Sequence, residues 1–210
     1  MIRESTPAGR ALLAARRIMR FDAMGMVSLV LWVLRRRDGV PPGATAVPYA
    51  REQTPTLLIV VFLMALEAGA VEVLLRAWDL PNALRLAVLA VDLYSIAIGL
   101  AIGAACATRP HVVSPTELRV RYGAFFDLRL PREMITSARP ARAYDESGVV
   151  TVKDGRLGVA VSSQTNIVVE LAEPVTVTRP LGRLAEVTQV RFFADDPAAA
   201  LAALRARQPR

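Results

Sequence analysis

Residues 55–75, PTLLIVVFLMALEAGAVEVLL, and residues 84–107, LRLAVLAVDLYSIAIGLAIGAACA, decide how this chain is organised. Each run is long enough to cross a bilayer as a helix, which takes about 20 mainly apolar residues. The connection RAWDLPNA between them places Asp79 and Pro81 where one continuous helix cannot pass, so the two runs are expected to fold back as a hairpin over residues 55–108.

Before the hairpin, residues 1–54 form a basic arm. It carries Arg3, Arg10, Arg16, Arg17, Arg20, Arg35, Arg36, Arg37 and Arg51 against Glu4, Asp22, Asp38 and Glu52. Its apolar part, residues 23–34, is too short to span without drawing Arg20 and Asp22 into hydrocarbon. The expectation is an amphipathic helix over about residues 6–36 lying at the membrane interface. Met24, Val27, Leu31 and Trp32 would be inserted and Arg16, Arg17 and Arg20 would lie on the polar side. The competing reading is a third segment that spans or re-enters. The Arg cluster at 35–37 stands where a signal peptidase would need small residues, so a cleaved leader is not expected. Pro41, Pro42, Gly43 and Pro48 then predict an extended linker.

The charge is one-sided. A net charge of +7 comes almost wholly from arginine, Lys153 being the only lysine. Arginine stays charged at any ordinary pH and presents a fork that fits phosphate. The arm and Arg109 flank the outer ends of the hairpin, whereas its connection holds only Arg76 and Arg85. Short basic flanks remain cytoplasmic, which predicts a multi-pass protein of the cell membrane with both termini inside. Anionic membrane lipid is the nearest polyanionic partner; the arm lacks the interleaved aromatics of a nucleic-acid platform.

Inside the hairpin, Ser95, Gly99, Gly103 and Ala107 recur every fourth residue, facing Ala65 and Gly69 on the other run. Such small-residue faces let helices approach closely, within the hairpin or between two copies in a dimer. Glu67, Glu72 and Asp92 are acids in apolar surroundings, a candidate intramembrane polar site. Glu72 has Arg76 one turn away and Asp92 has Arg85 within two turns, so pairing competes with ion chemistry.

From residue 109 the periodicity changes to two. Leu118, Val120 and Tyr122 alternate with Glu117, Arg119 and Arg121; Phe126, Leu128 and Leu130 alternate with Phe125, Asp127 and Arg129. Gly123 and the pair Asp154 and Gly155 supply turns, and further alternation through residues 150–161, 167–177 and 190–192 gives about seven antiparallel strands. The final segment, residues 196–207, reads as a helix: Asp195 or Asp196 caps it, Pro197 opens it, and Ala200, Leu201 and Leu204 share one face. Ser162, Ser163, Gln164, Thr165 and Asn166 read as turn chemistry between strands.

The order of strands followed by one helix resembles the pleckstrin-homology-like (PH-like) fold in its bacterial membrane-tethered form. The phrases VVSPTELRVRYGAFFDLRLPREMI, SSQTNIVVELAEPV and VRFFADDPAAALAALRAR carry the likeness, over roughly residues 110–207. The whole chain is similar to uncharacterised bacterial integral membrane proteins in which a two-span hairpin precedes such a domain. The resemblance implies an α+β membrane protein whose cytoplasmic residues 109–210 form a seven-stranded antiparallel β-barrel or sandwich capped by a C-terminal helix. PH-like domains variously bind lipids, peptides or proteins, so it implies fold more than function. In this chain the loop after the first long strand, Gly123 and Ala124, is uncharged, and the basic residues are Arg119, Arg121, Arg129 and Arg132 on and beside the strands. These four are the candidate lipid- or partner-binding face.

No phosphate-loop, dinucleotide, zinc-protease or nucleophile-elbow motif is present. Cys106 and His111 are the only residues of their kinds; they allow no disulfide framework or Cys/His metal site. Cys106 is expected to face lipid or helix and His111 to lie on the surface. The chain is therefore expected to act without catalysis or cofactor, presenting its β domain to a protein or to anionic lipid. The alternative is a subunit of an ion- or proton-linked membrane complex that uses Glu67, Glu72 and Asp92.

Overall fold

The computed structural model describes Met19, residues 23–180 and residues 182–206. A short apolar helix α1 (Ala23–Val33) comes first, then strand β1 (Thr45–Val47) and the long helices α2 (Thr54–Ala77) and α3 (Asn82–Thr108). These two helices, of 24 and 27 residues, are long and apolar enough to cross a membrane. Pro55 sits in the first turn of α2, where its missing N–H costs nothing. The hairpin turn closes through Asp79 at φ 57° and Pro81 just before α3. Ile59, Phe62, Leu66, Val73, Leu86 and Val91 all remain exposed along its length. Apolar surface of that extent matches lipid better than water.

Helix α1 packs along the last two turns of α3. A Cβ on Gly25 would stand 3.2 Å from the Ala101 methyl, and further along the Asp38 N–H donates to the Thr108 carbonyl at 2.8 Å. Ser28 is fully buried and returns its hydroxyl to the Met24 carbonyl. Of the apolar residues expected to insert, Val27 and Trp32 are exposed. The remainder of that expected helix, with Arg16, Arg17 and Arg20, lies outside the described residues, as does the chain beyond residue 206.

The β region contains strands β2 (His111–Val113), β3 (Glu117–Tyr122), β4 (Phe126–Pro131), β5 (Ile135–Ala143), β6 (Val150–Lys153), β7 (Arg156–Val159), β8 (Thr165–Thr178) and β9 (Leu184–Phe192), followed by helix α4 (Pro197–Arg205). Two sheets form, in the orders β1-β2-β3-β4 and β5-β8-β9-β7-β6. The expectation of seven antiparallel strands is corrected: the described residues form nine strands in two sheets and no closed barrel, and β7 pairs with β9 in parallel. Three strands escaped the alternation pattern, β1 and β2 because they are three residues long and β5 because it is polar and contains Pro140. Pro140 is tolerated because β5 is an edge strand, where one N–H faces no neighbour. Conversely, residues 167–171 and 175–177 form one long β8, bent at a register shift between Glu170 and Val175.

One core lies between the sheets. Leu118, Val120, Leu130, Ile167, Val169 and Val190 are all fully buried in it. Helix α4 adds Ala200, Leu201 and Leu204 to this core, and its Asp196 carboxylate caps the Ala199 N–H at 2.9 Å. The Asp154 and Gly155 turn has φ 51° and 69°, the left-handed pair that a two-residue hairpin requires. Ser162 and Ser163 repeat that geometry at φ 50° and 60°.

Strand β1 changes the organisation most. The expected linker contributes an edge strand, and Thr45, Ala46 and Val47 pair with Val113, Val112 and His111. The helical hairpin is thus inserted between two paired strands of the β sandwich.

Candidate functional site at the helix–sheet seam

Where α3 runs into β2, its last turn is buried by the β region instead of facing lipid: Ala104, Ala105, Cys106 and Thr108 are all inaccessible. Cys106, expected against lipid or helix, packs with Tyr49, Val161 and Phe193. Gly123 makes room for it, since a Cβ there would lie 3.3 Å from the Cys106 sulfur.

Tyr49, in the segment between β1 and α2, is the centre of the seam. It is fully buried, and its hydroxyl oxygen accepts the Gly123 N–H at 2.7 Å. Its ring stacks on His111 with centroids 4.5 Å apart and on Tyr122 at 6.0 Å. Beside it the Tyr122 hydroxyl donates to Gln53 Oε1 at 2.9 Å. Burial raises both phenol pKa values, so neither ionises near neutrality.

His111, expected on the surface, is buried. Its Nδ1 accepts the Arg121 N–H at 2.9 Å, which leaves the proton on Nε2 to be donated to the Phe193 carbonyl at 3.0 Å. Burial pushes its pKa down to about 3, with the Phe193 carbonyl opposing and Arg121 adding to the shift. The imidazole is therefore neutral at ordinary pH with both nitrogens engaged, which makes it a structural strut and leaves it no free lone pair for acid–base or metal chemistry. Among the described residues no three His, Cys, Asp or Glu side chains converge to hold a metal ion.

A second layer ties the arm to the same place. Asp38 donates its N–H to Thr108, accepts the Arg121 Nη1 at 2.7 Å on its carbonyl and pairs its carboxylate with Arg109 Nε at 2.9 Å. On the far side, the Arg51 N–H reaches the Asp195 carboxylate at 3.2 Å and the Asp195 N–H donates to the Pro48 carbonyl at 2.9 Å. Burial raises the Asp195 pKa, with the Arg51 N–H opposing.

The structure separates the four arginines of the expected basic face. Arg121 is buried under the segment after α1, and a Cβ on Gly39 would come within 2.5 Å of its guanidinium. Arg119 forms a two-point pair with Asp127, one arm at 2.7 Å. Arg132 caps helix α4 through the Leu204 and Ala206 carbonyls and also reaches Ser114. Arg129 alone projects into solvent, with Glu117 at 3.9 Å.

The acids of the hairpin are also dispersed. Glu72 pairs with Arg76 at 3.0 Å and, across the hairpin, with Arg85, the arginine within two turns of Asp92. Asp92 keeps Oδ2 sheltered and without a partner among the described residues, and Glu67 is exposed on α2. Gly99 and Gly103 lie against α2: a Cβ would meet Val61 at 3.4 Å in the first case and collide with Leu57 in the second. Ser95 returns its hydroxyl to the Val91 carbonyl. Ala65 and Gly69 are exposed, and Ala68 is the buried residue of α2.

No family model, curated protein or solved structure matches this chain. The geometry stands alone as the guide to function.

Proposed function

We propose that the chain is a membrane-anchored binding module that presents its β domain at a fixed height and orientation to a protein or anionic-lipid partner, without catalysis. The carrying observation is the pairing of β1 with β2 around the inserted hairpin. Two covalent connections and the buried Tyr49, Cys106 and His111 contacts then join domain and helices as one body. A flexible tether would suit a domain that searches for its ligand; a rigid seam suits one that must face a particular way. We read the β domain as PH-like, cytoplasmic with both chain termini. Two sheets over one core with a helix across an end support that reading, and the parallel β7–β9 pair is a departure from it.

Photocrosslinking of the full chain in native membranes tests the proposal, with probes at exposed Arg129 and Arg139 on the sheets and at exposed Val91 on α3. Capture of a discrete partner from either sheet position is expected. Capture from Val91 alone would overturn it.

One observation favours a second reading. The unpartnered Asp92 Oδ2 is a sheltered acceptor between apolar helices, the kind of group an ion- or proton-linked complex uses. Under that reading Asp92→Asn abolishes function at unchanged expression; retained function removes it.

A further inference from the structure

The outer face of the five-stranded sheet carries a recess that neither the sequence motifs nor the seam accounts for. Parallel pairing of β7 with β9 sets Gly158 beside Arg191, while their neighbours Leu157, Val159, Val190 and Phe192 point into the core. Because successive residues of a strand alternate faces, Gly158 and Arg191 lie together on the side away from the core. With no side chain at Gly158, the Glu146 carboxylate settles on the sheet: a Cβ there would be 2.8 Å from its Oε2. A cavity of 510 Å³ opens above, lined among others by Asp145, Glu146, Lys153, Arg156, Arg179 and Arg191. That volume is in the range of small-molecule sites, about 300–1,000 Å³.

Its charges are unbalanced. Among the described residues Lys153, Arg179 and Arg191 form no ion pair, and Arg156 reaches only the neighbouring Asp154, at 3.3 Å. The Arg191 Nε donates to Gln189 Oε1 at 2.9 Å, which fixes the plane of the guanidinium and leaves its terminal nitrogens uncommitted. Glu146 has only weak hydroxyl donors, Thr151 at 3.4 Å and Thr165 at 3.5 Å. A recess walled by low-dielectric protein concentrates the positive potential of such groups. An arginine fork held in place loses little entropy when it meets a phosphate.

We propose that this recess binds a small phosphoryl-bearing ligand, with Arg179, Arg191 and Lys153 on the phosphate oxygens and Glu146 accepting hydrogens from the hydroxyl or amine of the remainder. The candidate site differs from the arginine face on β3 and β4, whose charges, Arg129 excepted, are spent within the fold. It is also independent of the anchoring proposal: crosslinking can fail while this site binds, and the reverse.

The test uses the full-length protein in phosphatidylcholine nanodiscs, with inorganic pyrophosphate as the probe followed by calorimetry. Saturable binding is expected. Arg191→Gln and Lys153→Gln should each weaken it at least about tenfold, the effect of about 1.4 kcal/mol in a lost charge-assisted contact. Arg129→Gln should leave it unchanged. Lys153 is exposed on the β6–β7 hairpin, so its variant remains informative should Arg191→Gln fail to fold. Repeating the titration in discs containing phosphatidylglycerol separates the two sources of the same chemistry. Unchanged affinity assigns the recess to a soluble ligand, and competition by the lipid assigns it to a headgroup. Absence of saturable binding, or equal binding by wild type and both variants, overturns the proposal.

Discussion

Val47 pairs with His111 across β1 and β2, although the whole helical hairpin lies between them in the chain. A strand ladder at the base of an inserted hairpin works as a clamp: neither helix can tilt relative to the sheet without breaking main-chain hydrogen bonds or unstacking Tyr49 from His111. The register makes this testable. Thr45 stands opposite Val113, and directly opposed antiparallel residues have Cα atoms about 4.5–5.5 Å apart, within the span of a disulfide. Thr45→Cys with Val113→Cys should crosslink under mild oxidation, whereas Ala46→Cys with Val113→Cys, one residue out of register and on opposite faces, should not. Equal crosslinking of the two pairs would show that β1 is not held in this register.

His111 predicts a pH dependence. Its folded pKa of about 3 lies below the ordinary histidine value of about 6.5. The unfolded chain therefore takes up a proton that the folded chain refuses, and the stabilisation is complete above pH 6.5 and lost as the pH falls towards 3. By pH 5 the loss amounts to about 2 kcal/mol. Unfolding of the full chain in detergent should become easier from pH 7 to pH 5, and His111→Gln should remove most of that slope. Parallel slopes for the two proteins would mean that His111 is solvated.

The arginine face makes a contrast within one strand pair. Arg121→Ala leaves the Asp38 carbonyl without its guanidinium donor and opens a gap beneath Gly39, so a cost of about 1–3 kcal/mol is expected. Arg129→Ala removes only a long, exposed ion pair and should cost less than about 0.5 kcal/mol. Denaturant titration in detergent measures both. If the two variants unfold alike, Arg121 is not held as described.

The contrast also shows what the sequence discloses and what it hides. Length and composition are local, so both long helices were legible, as were the Asp154 and Gly155 turn and the capped α4. Strand alternation correctly set Val120 inside and Arg121 on the other face, yet it carries no information about what lies over that face. The segment of Asp38 and Gly39 that buries Arg121 is distant in sequence. The burial of His111 arises in the same way, because its stacking partner Tyr49 comes from before the hairpin. Three-residue β1 has no pattern to read, and its one strand partner among the described residues is β2. The recess at Arg191 depends on a parallel pairing that links strands distant in the chain, with a glycine supplying the space.

Glu72 and Arg85 extend the argument into the apolar hairpin. Glu72 bonds Arg76 on its own helix and Arg85 on the facing one, so its removal leaves the Arg85 guanidinium with Asn82 Oδ1, at 3.3 Å, as its remaining side-chain partner among the described residues. Breaking one side of a sheltered pair costs more than replacing both sides, because the remaining charge keeps its desolvation penalty. Glu72→Gln and Arg85→Gln should each destabilise the hairpin, and the double variant should cost clearly less than the sum of the two. A double-mutant cycle on detergent unfolding of the full chain gives the coupling directly. Strict additivity would mean that each side chain is solvated separately.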